Sequence, residues 1–241
     1  VEEITDPDLV NPTWVTYINQ QFIFDQNAGV WGEFVTTSPE EGIAISALDF
    51  ANAESHPDDI IRGITFRQLL YFYGSHSVEP WQNIGTGNPP FAVVSSGIQP
   101  YGIAGRDAIT KTDEYMYFLD KRRIPRRSNG LNFLNIGNPA LGVEFAKYTR
   151  IDDCIAFDFV QDNQQFVAFT FPEADKTWCF HEPSGSWFQL SYIETGNLDN
   201  LTIESDIDAP VYIGPDIDDV EYVVDVAITP VDVSALFTGD G

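Results

Sequence analysis

Short apolar segments recur along the chain at a nearly constant interval. An apolar segment, a polar turn and a second apolar segment occur together four times. The first segments read WVTYI, IIRGITF, RDAIT and CIAFDFV, and the second read FIFD, LLYFYG, YMYFLD and FVAFTF. Two apolar runs joined by a tight polar turn predict a β-hairpin, and near-continuous apolar character predicts that both of its faces are buried.

The turns between the paired segments define the interval. The aligned positions Asn19, Arg67, Asp113 and Asn163 are 48, 46 and 50 residues apart (67 − 19, 113 − 67, 163 − 113). The stretch NQQF follows this period, because it occurs at the first turn and again at the fourth. A repeat of about 40–50 residues is typical of β-propeller blades.

A third, more polar segment follows each hairpin and contains Trp31, Trp81 and Trp178 in three of the four units. A sheet of three or four strands cannot cover its own faces, whereas sheets stacked around an axis cover one another. We therefore predict an all-β fold, a β-propeller of four clear blades within residues 1–192, with a β-sandwich as the alternative. Helix signals are weak, and the best candidate, residues 45–59, is interpreted as a loop or short helix between blades.

Residues 193–241 form an acidic C-terminal segment of different character. From residue 177 onward the chain has 13 Asp and Glu and no Lys or Arg. Its apolar stretches VYIG and EYVVDVAI could form a degenerate fifth blade, or the segment could be an arm that a partner orders. A cluster of five aspartates is a candidate calcium-binding site: Asp206, Asp208, Asp216, Asp218 and Asp219. The EF-hand pattern is absent, however, and a solvated acidic face is the simpler interpretation.

Charge and cysteine content limit the classes of function. The formal net charge is −25 with 12 Lys and Arg, which disfavours tight binding of nucleic acid because a phosphate backbone requires cations. No apolar run is long enough to span a membrane. Cys154 and Cys179 each lie in an apolar, strand-like run, so we predict two buried thiols, with a disulfide between neighbouring strands as the alternative.

Candidate catalytic chemistry is sparse in the sequence. The three histidines show no metal-ligand spacing, and no phosphate-binding loop occurs. We predict no catalytic residue, metal site or cofactor. One loop concentrates positive charge and is either a solvated turn or a docking surface for an acidic neighbour, another copy of the chain included. Its residues are Lys121, Arg122, Arg123, Arg126 and Arg127.

Two segments resemble a known family. FYGSHSVEPWQNIGTGNPPF (residues 72–91) and KTWCFHEPSGSWFQL (residues 176–190) are similar to segments of the packaged-DNA stabilisation, or tail-hub, proteins of short-tailed bacteriophages. The resemblance covers roughly residues 12–192 of the sequence. The positions that match are structural ones in turns and strands: Gly74, Gly85, Gly185, Trp81, Trp178 and Trp187.

The resemblance implies a non-enzymatic component of the virion tail, made in the host cytoplasm. Such a subunit would assemble in a ring with its own copies, contact portal-adaptor proteins, and close the DNA exit channel after packaging. An acidic channel wall would repel DNA rather than bind it. The chain is shorter than those of the family and its acidic end departs from their pattern. The alternatives are a carbohydrate-binding or glycosidase-like propeller and a calcium-dependent adhesion module.

Overall fold

Sixteen strands form four antiparallel sheets in the part of the chain that the computed structural model describes. The described residues are 4, 6–26, 32–38, 44–53, 59–87, 89–130 and 132–191. Sheet 1 contains β1 (Val15–Ile18), β2 (Gln21–Asp25), β3 (Glu33–Thr37) and β4 (Ile45–Asn52). Sheet 2 contains β5 (Ile60–Phe66), β6 (Leu69–Gly74), β7 (Val78–Asn83) and β8 (Phe91–Val93).

The second half of the described chain repeats this arrangement. Sheet 3 contains β9 (Ile109–Lys111), β10 (Met116–Leu119), β11 (Pro125–Ser128) and β12 (Phe133–Asn135). Sheet 4 contains β13 (Ile155–Gln161), β14 (Gln164–Phe171), β15 (Lys176–His181) and β16 (Ser186–Leu190). Each sheet is a meander in which strands pair in chain order. The prediction of four repeated β units is confirmed.

Residues 45–52 and 139–147 differ from the sequence prediction. Residues 45–52 form the outer strand β4 instead of a loop or helix. The helix α1 (Pro139–Lys147) instead lies between sheets 3 and 4, where the Asn138 side chain accepts a hydrogen bond of 2.8 Å from the Leu141 backbone N–H. Its signal was present in the sequence, because Asn followed by Pro is a favoured helix start and Leu141 and Phe145 are four residues apart on one buried side.

Tight two-residue turns join the first and second strands of three sheets. Both turn residues have positive φ in the pairs Asn19–Gln20, Arg67–Gln68 and Asp162–Asn163. Such turns match the right-handed twist of the flanking strands. Because Ile18 pairs with Gln21 and Gln161 pairs with Gln164, the counterpart of Asn19 is Asp162, and the sequence alignment on Asn163 is wrong by one residue.

The second strand of each sheet is the centre of the packing. In β6, Phe72 lies 4.5 Å from Phe34 of sheet 1, ring centroid to centroid, whereas its neighbour Tyr73 lies 5.0 Å from Phe118 of sheet 3. Successive side chains of a strand point to opposite faces, so one strand of alternating aromatic residues contacts the sheets on both sides. Continuous apolar sequence is therefore the expected signature of these strands, as predicted.

The first strands of neighbouring sheets lie side by side and are linked by polar contacts. The hydroxyl oxygens of Thr16 (β1) and Thr65 (β5) are 3.0 Å apart, and Thr110 (β9) donates a hydrogen bond of 2.9 Å to Asp158 (β13). Gly63 of β5 lies directly under the ring of Trp14, so close that a Cβ atom there would overlap the ring. The first strands therefore form the inner layer of the arrangement, and the fourth strands form the outer edges.

Candidate functional site

A cavity of about 480 Å³ lies where the inner strands begin. Because all four sheets run in the same order, their first strands begin at one end of the molecule, and each sheet contributes to the wall. We call this cavity the axial mouth. It is lined by Thr13, Ile60, Ile61, Arg106, Asp107, Asp152, Asp153, Cys154 and Ile155.

Two of the three carboxylates that line the axial mouth are paired with arginine side chains. Arg106 Nη2 lies 2.8 Å from Asp107 Oδ2, and this hydrogen-bonded guanidinium lowers the pKa of the Asp107 carboxyl. Arg150 lies 2.6 Å from Asp152 and lowers its pKa in the same way. A general base needs a pKa close to the working pH, so these carboxylates behave as fixed negative charges rather than proton acceptors.

Two buried polar atoms near the axial mouth, Arg62 Nε and Asp153 Oδ1, have no hydrogen-bond partner among the residues that the structure describes. The other oxygen of Asp153 accepts a hydrogen bond of 2.8 Å from the Glu173 backbone. Burial lowers the pKa of Arg62, while the negative charges of Asp107 and Asp25 oppose that shift. The mouth is a polar surface, but within the described ranges no group of three or more His, Cys, Asp or Glu is placed to hold a metal ion. The candidate calcium-binding aspartates lie outside the described residues.

Trp81 of β7 packs in the apolar layer between sheets 1 and 2. Its side chain is 7% exposed and meets the rings of Phe34 and Phe72 edge to face, at centroid distances of 5.3 and 5.9 Å. Its indole N–H donates to Glu79 at 3.4 Å. This residue therefore supports the first inter-sheet contact.

The two tryptophans of sheet 4 anchor the chain that precedes it. The indole N–H of Trp187 donates a hydrogen bond of 2.7 Å to the Ile136 carbonyl. Trp178 is only partly buried and donates to the Tyr148 hydroxyl at 2.9 Å, beside the ring of Phe145 in α1. Both side chains make contacts between sheet 4 and the preceding segment, and Trp31 lies outside the described residues.

The three glycines of the family resemblance occupy different backbone environments. Gly85 and Gly185 lie in turns with φ of +69° and +67°, a conformation that favours glycine. Gly74 is the last residue of β6, and its N–H donates a hydrogen bond of 2.8 Å to the Ser77 carbonyl across a two-residue turn.

The positively charged segment does not form one exposed patch, which corrects the expectation for part of it. Arg126 is 7% exposed, lies in β11, and its Nε is 2.7 Å from Asp120 Oδ2. Arg123 donates to the backbone carbonyls of Phe145 and Tyr148 at the end of α1. A strand places successive side chains on opposite faces, so one basic run is divided between core and surface.

The remaining cations of this segment are more accessible. Lys121 and Arg122 are exposed in the turn before β11. Arg127 is partly buried, with its guanidinium 4.4 Å above the ring of Tyr115 and 3.9 Å from Glu182 of sheet 4. Lys121 and Arg122 are therefore the exposed cations of this segment, and Arg122 lies 4.0 Å from Asp120.

The outward faces of the first and last sheets carry apolar side chains without a covering sheet among the described residues. We call the face of sheet 4 that points away from sheet 3 the outer face of sheet 4; it comprises Ile155, Phe157, Phe159, Phe166, Phe188 and Leu190. On the corresponding face of sheet 1, Ile4 and Leu9 cover Phe24, while Tyr17 and Phe22 are exposed. The regular alternation in β1 and β13 was a signal for these faces, but it could not show which faces lacked a neighbour.

The two cysteines are free and buried, so the prediction of two thiols is confirmed and the disulfide alternative is wrong. Burial raises the pKa of both, that of Cys179 to about 12. A thiolate is the reactive form, so neither side chain is suited to nucleophilic chemistry at neutral pH.

Four consecutive four-stranded meanders, packed face to face with their first strands innermost, define a protein of the β-propeller class. The model of the family described as "Bacteriophage P22 Gp10, beta-propeller" matches residues 1–198. The chain belongs to this phage stabilisation family, and the predicted family and propeller fold are confirmed. No curated protein matches the chain. No helix in the described ranges is long and apolar enough to cross a membrane.

Solved structures show weaker likenesses. An extracellular domain from B. thetaiotaomicron is 8% identical with a TM-score of 0.46, covering 74% of this chain and 22% of its own. Hsv2 of Kluyveromyces lactis with a replaced loop is 6% identical with a TM-score of 0.41, covering 73% and 56%. A chain of the S. cerevisiae complex of Dbp5 with Nup159 and Gle1 is 9% identical with a TM-score of 0.40, covering 84% and 48%. At these scores the likenesses carry no functional information.

Proposed function

We propose that this chain is a non-catalytic subunit of a phage tail hub or nozzle, which closes the DNA exit channel after packaging. The observation that carries the proposal is the family match over residues 1–198, which includes all four sheets. Family membership supports a structural protein of the virion. The position in the hub and the closing role are our inference from the physical properties described below.

Rigidity is the first supporting property. Each inter-sheet layer is built from interlocked aromatic rings, such as Phe34, Phe72 and Trp81 between sheets 1 and 2. Aromatic side chains bury large areas and add edge-to-face contacts, so such layers resist deformation. A closure element must withstand the pressure of packaged DNA, and a set of stacked, well-packed sheets meets that requirement.

Electrostatics is the second supporting property. The chain has a formal net charge of −25, and Arg106, the arginine that lines the axial mouth, is paired with Asp107. A surface of this charge repels the phosphate backbone at distances up to about a Debye length, roughly 8 Å at physiological salt. Ring assembly with other copies would therefore produce a channel that obstructs DNA without adhering to it. Lys121 and Arg122 are the cations best placed to contact an acidic neighbouring subunit.

The test is a conditional loss of this chain in the phage that encodes it. A stop codon at Trp81 in a non-suppressing host should leave packaging intact but allow DNA to escape. We expect the DNase-protected DNA per purified particle to fall at least about 10-fold. The chain supplied in trans should restore it, and so should the chain with Gly142→Ala, since this exposed helix position lies away from the sheet contacts.

Two outcomes would contradict the proposal. Particles that lack the chain yet retain full-length DNA would show that it does not close the channel. If mass spectrometry of purified wild-type virions does not detect the chain, a structural role in the virion is excluded.

A further inference from the structure

A row of polar side chains crosses the layer between sheets 3 and 4. Tyr117 of β10 pairs with Thr110 of β9 and with Arg127 of β11, so the three side chains lie side by side on one face of sheet 3. That face meets sheet 4, since the ring of Tyr117 lies 6.1 Å from that of Phe180. In sheet 2 the corresponding residue is Tyr71, 46 positions earlier (117 − 71), and its cross-strand partners are an isoleucine and a proline. The repeat therefore does not account for the polar row of sheet 3.

Sheet 4 places acceptor groups opposite this row. Thr110 donates a hydrogen bond of 2.9 Å to Asp158 Oδ1 at one end. Glu182 directly follows β15, and its backbone N–H donates to the Gln165 carbonyl at 3.1 Å, which continues the ladder of sheet 4 by one residue. The Glu182 carboxylate lies 3.9 Å from Arg127 Nη1. A negative charge therefore stands at the other end of the row.

Two buried donors of the row, the Tyr117 hydroxyl and Arg127 Nε, have no hydrogen-bond partner in the part of the chain that the structure describes. The two residues are cross-strand partners, so their side chains are neighbours on the sheet. The Arg127 guanidinium also lies 4.4 Å above the ring of Tyr115. A buried polar group without a partner destabilises a fold, so this pair of donors requires an acceptor.

The Glu182 side chain carries an acceptor that suits both donors. A separation of 3.9 Å from Arg127 is too long for a hydrogen bond, whereas a carboxylate has about four acceptor sites and can serve two donors at once. The carboxylate already acts on the hydroxyl: burial raises the pKa of Tyr117, Glu182 raises it further, and Arg127 opposes the shift. A small displacement of the Glu182 side chain is therefore sufficient to satisfy both groups.

The backbone around Glu182 is fixed, so the displacement is one of the side chain. The Gly185 N–H donates to the carbonyls of His181 and Glu182, at 2.9 and 3.3 Å, and closes the turn between β15 and β16. The side chain of Glu182 retains access to solvent, with 19% of its surface exposed. Rotation about its side-chain bonds thus needs no rearrangement of the sheet.

We propose that Glu182 is a latch between sheets 3 and 4. In the closed position its carboxylate accepts hydrogen bonds from the Tyr117 hydroxyl and Arg127 Nε, and the structure shows the open position. At the other end of β14 the contact is apolar, with the ring of Phe171 packed 4.9 Å from that of Phe145 in α1. The latch therefore controls only the end of sheet 4 that holds Glu182. This inference goes beyond the proposed function and does not depend on it.

A double-mutant cycle on the full chain tests the latch. Tyr117→Phe removes the hydroxyl alone, and Glu182→Met removes both acceptor oxygens while the length of the side chain is kept. Urea unfolding of the unmodified chain, the two single variants and the double variant gives the coupling factor between the two substitutions. The matched control cycle uses Tyr71→Phe, which removes a hydroxyl that donates to the Gly130 carbonyl at 3.3 Å instead.

We expect Tyr117→Phe to raise the unfolding equilibrium constant at least about 5-fold, because a hydrogen bond to a charged group is lost. The coupling factor with Glu182→Met should be at least about 3, against about 1 in the control cycle. A smaller factor for Tyr117 would overturn the proposal. So would a Tyr117→Phe variant more stable than the unmodified chain, because the hydroxyl would then have no partner in any populated state.

Hydrogen exchange followed by mass spectrometry separates a latch from a contact without consequence for sheet 4. Glu182→Met should speed amide exchange in peptides covering residues 179–188 at least about 5-fold and leave β6 unchanged, because local opening sets the exchange rate. Unchanged exchange in residues 179–188 would show that release of Glu182 does not loosen this end of the sheet, and the latch would be refuted.

Discussion

Asp120 and Arg126 form a buried ion pair inside sheet 3, with Arg126 Nε 2.7 Å from Asp120 Oδ2. The other carboxylate oxygen of Asp120 accepts hydrogen bonds from the backbone N–H groups of Arg122 and Ile124, at 2.8 and 2.9 Å. The Arg126 guanidinium lies 3.9 Å above the ring of Tyr101. One carboxylate thus shapes the β10–β11 turn and neutralises a cation in the core.

Removal of this carboxylate should destabilise the fold strongly. Asp120→Asn leaves the Arg126 charge buried without a counter-ion, and we expect the free energy of unfolding to fall by about 3–5 kcal/mol. The control is Arg150→Ala, which breaks an exposed pair with Asp152 and should change the free energy of unfolding much less, because solvent screens an exposed pair. Urea denaturation of the two variants measures the difference; equal losses would contradict the role of burial.

The tryptophans of sheets 2 and 4 should differ in their importance. Trp81→Ala opens a cavity between Phe34 and Phe72 and should cost about 3–5 kcal/mol. Trp178→Ala should cost about 1–3 kcal/mol, because that ring is partly exposed. Thermal and urea unfolding of both variants checks the order. Should Trp178→Ala prove the more damaging, the assignment of the first inter-sheet layer as the tighter contact is wrong.

Two glycine-to-alanine substitutions should change the stability of the fold in opposite directions. Gly85 has a φ of +69° and open space around its Cα, so Gly85→Ala introduces backbone strain alone and should cost about 1 kcal/mol. Gly142 lies inside α1, also in open space, so Gly142→Ala should stabilise by about 0.5–1 kcal/mol. Melting temperatures should therefore move down for the first variant and up for the second. A shift in the same direction for both would refute the backbone explanation.

The buried thiols should make the fold sensitive to alkaline pH. The pKa of Cys179 rises from 9.0 to about 12 in the folded chain, so the unfolded chain releases its proton first. The resulting stability is fully present below about pH 9 and is lost as the pH rises towards 12. Urea midpoints at pH 8, 9 and 10 should fall in that order, and Cys179→Ala should flatten the decrease. Rapid labelling of native Cys179 by a thiol reagent at pH 8 would contradict its burial.

Salt should promote self-association, if the subunits assemble in rings as proposed. Copies of net charge −25 repel one another, and added salt screens that repulsion. Sedimentation velocity at 50 and 500 mM NaCl should show more oligomer at the higher salt concentration. A double variant with Lys121→Glu and Arg122→Glu should associate less at both concentrations. Monomers under all of these conditions would argue against rings formed by the chain alone.

Much of the architecture could be predicted because the signal was repeated. Four hairpins with apolar strands, separated by a regular interval, were sufficient to find the sheets. The fourth strand of each sheet was harder to find. Residues 45–52 have helix-compatible composition, and their pairing with β3 is a tertiary contact that local sequence does not encode.

The exact register of the strands was the other feature that could not be predicted from the sequence. Phe22 and Phe166 follow identical Asn-Gln-Gln triplets, but Phe22 is the second residue of its strand and Phe166 the third. Because side chains alternate along a strand, this one-residue offset reverses the direction of the phenylalanine. Phe22 points away from sheet 2, whereas Ile23 points towards it. Phe166 occupies the position in sheet 4 that Ile23 occupies in sheet 1. The division of the basic segment between core and surface was missed for the same reason.

The close approach of Gly63 to Trp14 sets the angle between the first two blades. With no side chain at position 63, β5 lies flat against the indole; a methyl group would act as a wedge and tilt one sheet away from the other. Sheets 1 and 2 meet at this contact, so one added carbon atom here would change how the first two sheets pack together. A saturation library at position 63 should accordingly return glycine alone among variants that fold with native stability.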